Sequence, residues 1–144
     1  MVSTARDTAR FMQALLGGEL LSPEVRAELL STVPSDWDES DGYGLGIEEV
    51  TSLWGLEAST CGSAWGHFGF SAGYTTIALA SKSGDRGVVV MFNSHPMSEE
   101  TWVALGRLTW ACYCGSGAAR DRHEDERDDD VGSLVRPQDG LSPA

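Results

Sequence analysis

The sequence predicts an α/β (α+β) domain, an antiparallel β-sheet flanked by helices. Three observations carry that prediction. Capped segments with helical apolar spacing lie near the start and again from residue 98. Between them come short runs rich in Val, Ile and Thr, bounded by Gly, Asp and Ser. Two of these runs are joined by a Gly-Asp turn at hairpin distance. At 144 residues, 41% of them apolar, the chain is long enough for one domain with a core and too short for two.

Thr4-Ala5-Arg6-Asp7 has the form of a capping box and opens the first helix. Ala5, Ala9, Met12, Leu15 and Leu16 keep to one side of it, and Gly17-Gly18 ends it. Ser22-Pro23-Glu24 repeats the start signal with Pro at the first helical position. That second helix must stop before Pro34, because the proline pushes Val33 out of helical geometry. Residues 35–42 are acidic and turn-rich and read as a solvated loop. Tyr43 to Val50 alternates and suggests a strand weakened by its glycines. Three further strands are expected near 64–69, 73–81 and 86–92, the last two paired as an antiparallel hairpin around "SKSGDRG". Ser98-Glu99-Glu100 caps a third helix, in which Trp102, Leu105, Leu108 or Thr109, and Cys112 recur at helical steps, so that it lies across the sheet. Residues 115–144 combine Gly, Pro and dense charge with few apolar groups, too few to offset the entropy of ordering, and read as a disordered acidic tail.

A net charge of −12 repels phosphate backbones and anionic lipid surfaces, which argues against nucleic-acid and membrane-surface partners. No apolar run approaches the length of a membrane span, and the N-terminal residues carry no export signal. Cys61, Cys112 and Cys114 fit no zinc pattern, and Cys112-Tyr113-Cys114 is one residue short of a redox C-x-x-C. One disulfide, from Cys61 to Cys112 or to Cys114, is the natural use. His67, His95 and Cys61 lack ligand spacing, so neither a metal nor a cofactor is expected. His95-Pro96 reads as loop punctuation and His123 as part of the tail. Trp54, Trp65, Trp102 and Trp110 are expected to fill core and cleft walls.

The most unusual stretch is "WGHFGF", residues 65–70. Glycines at 66 and 69 strip side-chain bulk from both sides of His67, as a strand requires when another backbone, or a substrate imitating one, must lie close beside it. Taken alone, His67 reads most simply as a structural imidazole at a sheet edge. The order of elements adds a second signal: capped helix, Gly-Gly, "LLSPE" helix, "TVP", "YGLGI", Cys-Gly, "WGHFG", "AGYT", "ALAS", a Gly-Asp turn and a valine-rich strand ending in Asn93. Over residues 1–114 this order resembles the C-terminal part of the serine β-lactamase-related family. The resemblance is nearest to class C β-lactamases and the actinomycete type of D-alanyl-D-alanine carboxypeptidase, which are penicillin-binding serine hydrolases.

That resemblance implies the C-terminal part of a β-lactamase/transpeptidase-like fold and a site built from three motifs: S-x-x-K, then Y-x-N or S-x-N, and a strand bearing K-T-G or H-x-G. His67-Phe68-Gly69 matches the third. By resemblance, His67 lines the catalytic cleft, Gly69 lets the strand approach substrate, and the backbone N–H of Phe70 is one of two oxyanion-hole donors, the other being the amide of the nucleophilic serine. Phe68 stands where the family often has Thr or Ser, so a hydroxyl that binds a substrate's terminal carboxylate is missing. Some relatives have a bridge between sheet and last helix, which implies Cys61 with Cys112 and an exported or cell-envelope parent enzyme.

The first two motifs are absent from the sequence. Lys82 is the only lysine and Leu79 stands three before it; Asn93 is the only asparagine and Met91 stands two before it. A substitute triad of Ser71, His67 and a carboxylate is disfavoured, since Ser71 and His67 sit too near each other along one strand. The expectation is therefore a C-terminal fragment of a serine hydrolase, inactive alone and marginally stable with uncovered sheet edges. Peptidyl-D-alanine, β-lactam or ester substrates are expected only once the N-terminal half is present. The rival expectation is a non-catalytic binding module that keeps the peptide-pairing strand.

Overall fold

In the computed structural model, residues 2–35, 42–58, 61–94 and 98–128 are described, with side chains as far as Gly115. Local signals set the first two helices. Helix α1 (Ala5–Gly17) begins where Thr4 Oγ1 accepts from the Asp7 amide at 3.1 Å, and it ends at Gly18, whose φ of 84° is the left-handed conformation that glycine adopts without steric cost. Ser22 caps α2 (Pro23–Leu29), which has Pro23 in its first turn. The short strands β1 (Val33–Pro34), β2 (Gly42–Tyr43) and β3 (Glu48–Val50) follow, then the small hairpin β4 (Ser52–Leu53) and β5 (Leu56–Glu57). The long strands are β6 (Ala64–Ser71), β7 (Tyr74–Ala80) and β8 (Gly87–Phe92), and α3 (Glu99–Asp128) closes the order.

The main sheet runs β1-β2-β3-β6-β7-β8, antiparallel throughout, while β4 and β5 pair separately. The mixed, antiparallel fold class read from the sequence is therefore present. Between β6 and β7 the register Ser71↔Tyr74 leaves a two-residue turn with Gly73 at φ 79°. The β7–β8 hairpin forms as expected, with Ala80 opposite Gly87.

Alternation along the strands sorts their side chains to two covered faces. One face, under α1, gathers Met12, Leu16, Leu30, Ile47, Trp65, Ala78 and Ala80. The other, under α3, gathers Val50, Leu53, Ala64, Ile77, Leu79, Val88, Trp110 and Tyr113. Burying a side chain such as Ile77 or Leu79 is worth about 1.5–3 kcal/mol each. Arg26 ties the α1 side together: its Nε donates to the Leu16 carbonyl at the end of α1 at 2.7 Å, and its Nη2 donates to the Lys82 carbonyl in the β7–β8 turn.

Two sequence expectations need correction. The first concerns the single strand expected from Tyr43 to Val50, which is instead a tight hairpin of β2 and β3 pairing Tyr43 with Glu48. The glycines turn the chain: Gly46 has φ 76°, and a Cβ on Gly44 would stand 2.3 Å from the Leu29 carbonyl oxygen. The second concerns the disulfide, which joins Cys61 to Cys114 and leaves Cys112 free and exposed. Trp110 and Tyr113 are the residues that α3 buries, and Cys114 lies one helical turn beyond Trp110, whereas Cys112 falls on the outer side. Helix α3 continues through Gly115 to Asp128, into residues 115–144 that the sequence reads as a disordered acidic tail. Ala118, Ala119, Arg120, Glu124 and Arg127 in that stretch are good helix formers. Residues 129–144 lie outside the described residues, as do the acidic loop at 36–41 and His95-Pro96. No helix of the described residues is long and apolar enough to cross a membrane.

Candidate functional site

Strand β6 can pass close to β7 only because of Gly66. A Cβ there would stand 1.9 Å from the Ala78 carbonyl oxygen. Beyond Gly66 the neighbourhood changes. Strand β3 pairs with β6 over Ala64, Trp65 and Gly66 and then turns away, whereas β7 accompanies β6 as far as Ser71. Among the described residues the sheet therefore supplies a strand on one side of β6 only from residue 67 to 71.

His67 stands at the first position of this open edge. The β2–β3 hairpin ends beside it and presents two residues to its ring. Tyr43 Oη lies 3.0 Å from His67 Nε2, with the two rings edge-to-face and their centroids 5.8 Å apart. Glu48 Oε1 lies 3.7 Å from the same nitrogen. On the other side of the ring, Nδ1 stands 2.6 Å from the Phe68 carbonyl oxygen. A carbonyl only accepts, so Nδ1 carries a proton, and in the neutral ring Nε2 is then the acceptor for the Tyr43 hydroxyl. In the protonated ring Nε2–H donates instead, and Glu48 is the adjacent counter-charge. The imidazole is thus held in one orientation and one tautomer while its side chain remains 48% exposed. Sequence reasoning missed Tyr43 and Glu48 as partners; the signal was the Gly44 and Gly46 pair between them, which marks a hairpin instead of a strand.

Gly69 contrasts with Gly66. A Cβ on Gly69 would meet only the Thr76 side chain, at an ordinary 3.7 Å, so the packing of the protein itself does not require glycine there. Phe68 and Phe70 project to the α3 face and join Trp54 and Trp102 in an aromatic cluster. Trp54 lies 4.8 Å from Trp102 and 6.1 Å from Phe68 between centroids, and Phe70 meets Trp102 edge-on at 5.6 Å. Phe70 is more than half exposed. Trp54 is positioned by the β4–β5 turn, where it has φ 48° and the following Gly55 φ 78°.

Ser71 is four residues along β6 from His67, about 13 Å at the rise of a strand, which leaves no hydrogen bond between them. Cys61 is committed to its disulfide. Among the described residues no three His, Cys, Asp or Glu side chains are grouped to hold a metal.

The family model described as Beta-lactamase matches residues 1–108. Among solved structures the chain is similar to a D-stereospecific amidohydrolase from Streptomyces sp., with 28% identity and a TM-score of 0.59 over 78% of this chain. The chain spans 30% of the length of that amidohydrolase. The order of elements, the H-x-G strand at an open sheet edge and the match over most of the chain agree: the protein belongs to the β-lactamase family.

Proposed function

We propose that this chain supplies the substrate-binding strand and one oxyanion donor of a serine hydrolase that cleaves amide or ester bonds. The open side of β6 from residue 67 to 71, beginning at a tautomerically fixed His67, is the observation that carries this reading. An extended acyl substrate lies antiparallel to that edge, with Gly69 admitting its backbone and the Phe70 N–H facing the carbonyl oxygen as negative charge develops. The attacking serine and its base belong to S-x-x-K and Y-x-N segments that the 144 residues do not contain. The serine Oγ bonds to the acyl carbon and loses its proton to the base, the leaving amine or alcohol takes that proton, and water releases the acid.

The structural neighbour is a D-stereospecific amidohydrolase, which supports an amide flanked by a D-configured residue. Phe68 in its aromatic cluster supports an apolar group there in preference to a terminal carboxylate, because the cluster offers area for stacking and no hydroxyl. Large apolar residues exposed on the α1 and α2 side, Phe11, Leu20 and Val25, support a larger assembly that covers them. The test is labelling with a fluorescent fluorophosphonate or penicillin, of the 144-residue chain and of a form extended to include S-x-x-K. Labelling of the extended form alone supports the proposal. Stoichiometric labelling of the 144-residue chain at one serine overturns the claim about the nucleophile, and an extended form that binds peptide without acylation favours the binding module.

A further inference from the structure

At the end of the sheet away from the open edge of β6, a cleft of about 520 Å³ lies between α2, the segment entering β6 and the β7–β8 turn. Its lining concentrates charge in a chain that is otherwise strongly acidic. Arg26 comes from α2, Lys82 and Arg86 from the turn, and Ser63, Ser81 and Ser83 complete the lining. Three of the ten Lys and Arg residues of the protein thus meet in one place. Two carboxylates border the cleft without lining it: Asp85 accepts from Ser81 and Ser83 Oγ, and Glu49 accepts from Ser63 Oγ at 2.8 Å. Positive groups outnumber them.

Each cation is anchored by apolar or backbone contacts. The Arg26 guanidinium is fixed by the Leu16 and Lys82 carbonyls, which use two of its five N–H donors. Arg86 stacks on the Tyr113 ring, 4.8 Å from its centroid, and donates to the Cys61 carbonyl. Its Nε is buried with no hydrogen-bond partner among the described residues. Lys82 Nζ sits over the Trp65 ring at 4.9 Å. Fixed guanidinium donors together with an ammonium are the chemistry that holds a tetrahedral oxyanion.

We infer that this cleft binds a phosphate group, separately from the hydrolytic reading of β6. Its volume exceeds that of a free anion and leaves room for a phosphate carried on a larger molecule. The experiment is calorimetric titration of the full chain at low ionic strength with inorganic phosphate and, in parallel, with glycerol phosphate. Lys82→Glu and Ser83→Asp are compared with Arg107→Glu, an exposed cation on α3 outside the cleft. The expected result is saturable binding weakened by about tenfold or more in both cleft variants and unchanged in Arg107→Glu, with circular dichroism confirming that all three fold. Tighter binding of glycerol phosphate assigns the site to a phosphomonoester, and equal binding assigns it to the free ion. Absence of saturation, preference for citrate over both phosphates, or equal losses in all three variants overturns the proposal.

Discussion

Tyr43 and His67, separated by 24 residues in sequence, meet with Oη 3.0 Å from Nε2. The contact exists because the β2–β3 hairpin stops at Gly66 and leaves Tyr43 at its tip. Tyr43→Phe keeps the ring and removes only the hydroxyl. The expected outcome is a stability loss of at most about 1 kcal/mol in a urea melt, because the site is exposed and a net hydrogen bond is worth little more. Nitrogen NMR of the His67 ring should nevertheless change, with Nε2 losing its hydrogen-bonded shift while the proton stays on Nδ1. An unchanged Nε2 signal would contradict the contact.

The two glycines of "GHFG" should respond in opposite ways to a single methyl group. Gly66→Ala forces a Cβ onto the Ala78 carbonyl and is expected to cost more than about 4 kcal/mol, the range reserved for changes the backbone cannot absorb. Gly69→Ala meets only the Thr76 side chain at an ordinary contact distance and should change stability by about 0.5 kcal/mol or less. In a form that contains the S-x-x-K segment, the same Gly69→Ala should slow labelling, because the methyl stands where substrate approaches. Denaturant melts of both variants check the first part. A stable Gly66→Ala protein would mean that β6 and β7 are farther apart than described.

The Cys61–Cys114 bridge closes a loop of 53 residues and pins α3 to the start of β6. Chain-entropy reasoning gives such a loop about 4 kcal/mol of stabilisation. Cys61→Ser or Cys114→Ser should therefore lower the urea midpoint markedly and expose the Trp110 and Tyr113 core, detectable by fluorescence. Cys112→Ser should leave the midpoint unchanged, and mass spectrometry of the non-reduced protein should find the free thiol at Cys112.

Features written in local chemistry were legible from the sequence. The Thr4 and Ser22 caps, the Gly18 stop and the β7–β8 turn each depend on a few neighbouring residues, and each formed where those residues predicted. The H-x-G strand was legible as a pattern, but its partners were not, since Tyr43 and Glu48 reach His67 only through a tertiary hairpin. The disulfide choice turned on the phase of α3. Thr109 and Trp110 are both buried, so counting three residues onward reaches either Cys112 or Tyr113, and the larger burial available to the Tyr113 ring decides for Tyr113 and brings Cys114 inward. Arg26, Lys82 and Arg86 lie far apart along the chain and carry no motif that would have grouped them.

Asp85 gives the fold one acid-sensitive fastening. Hydrogen bonds from Ser81 and then Ser83, opposed slightly by desolvation and helped by the adjacent Arg86, hold its carboxyl below the ordinary aspartate value. A group whose folded pKa is depressed adds stability above its unfolded pKa, and that contribution is lost as the pH falls through the folded value. The β7–β8 turn should therefore loosen below about pH 4, the ordinary aspartate range. Asp85→Asn should lower stability at neutral pH and flatten this part of the acid dependence. Thermal melts from pH 7 down to pH 2 on both proteins check the sign. Curves that stay parallel across that span would show that the serine hydroxyls do not distinguish the charged carboxylate from a neutral amide, and that the turn is held by its other hydrogen bonds, among them Ser81 N–H to the Arg86 carbonyl and Gly84 N–H to the Ser81 carbonyl.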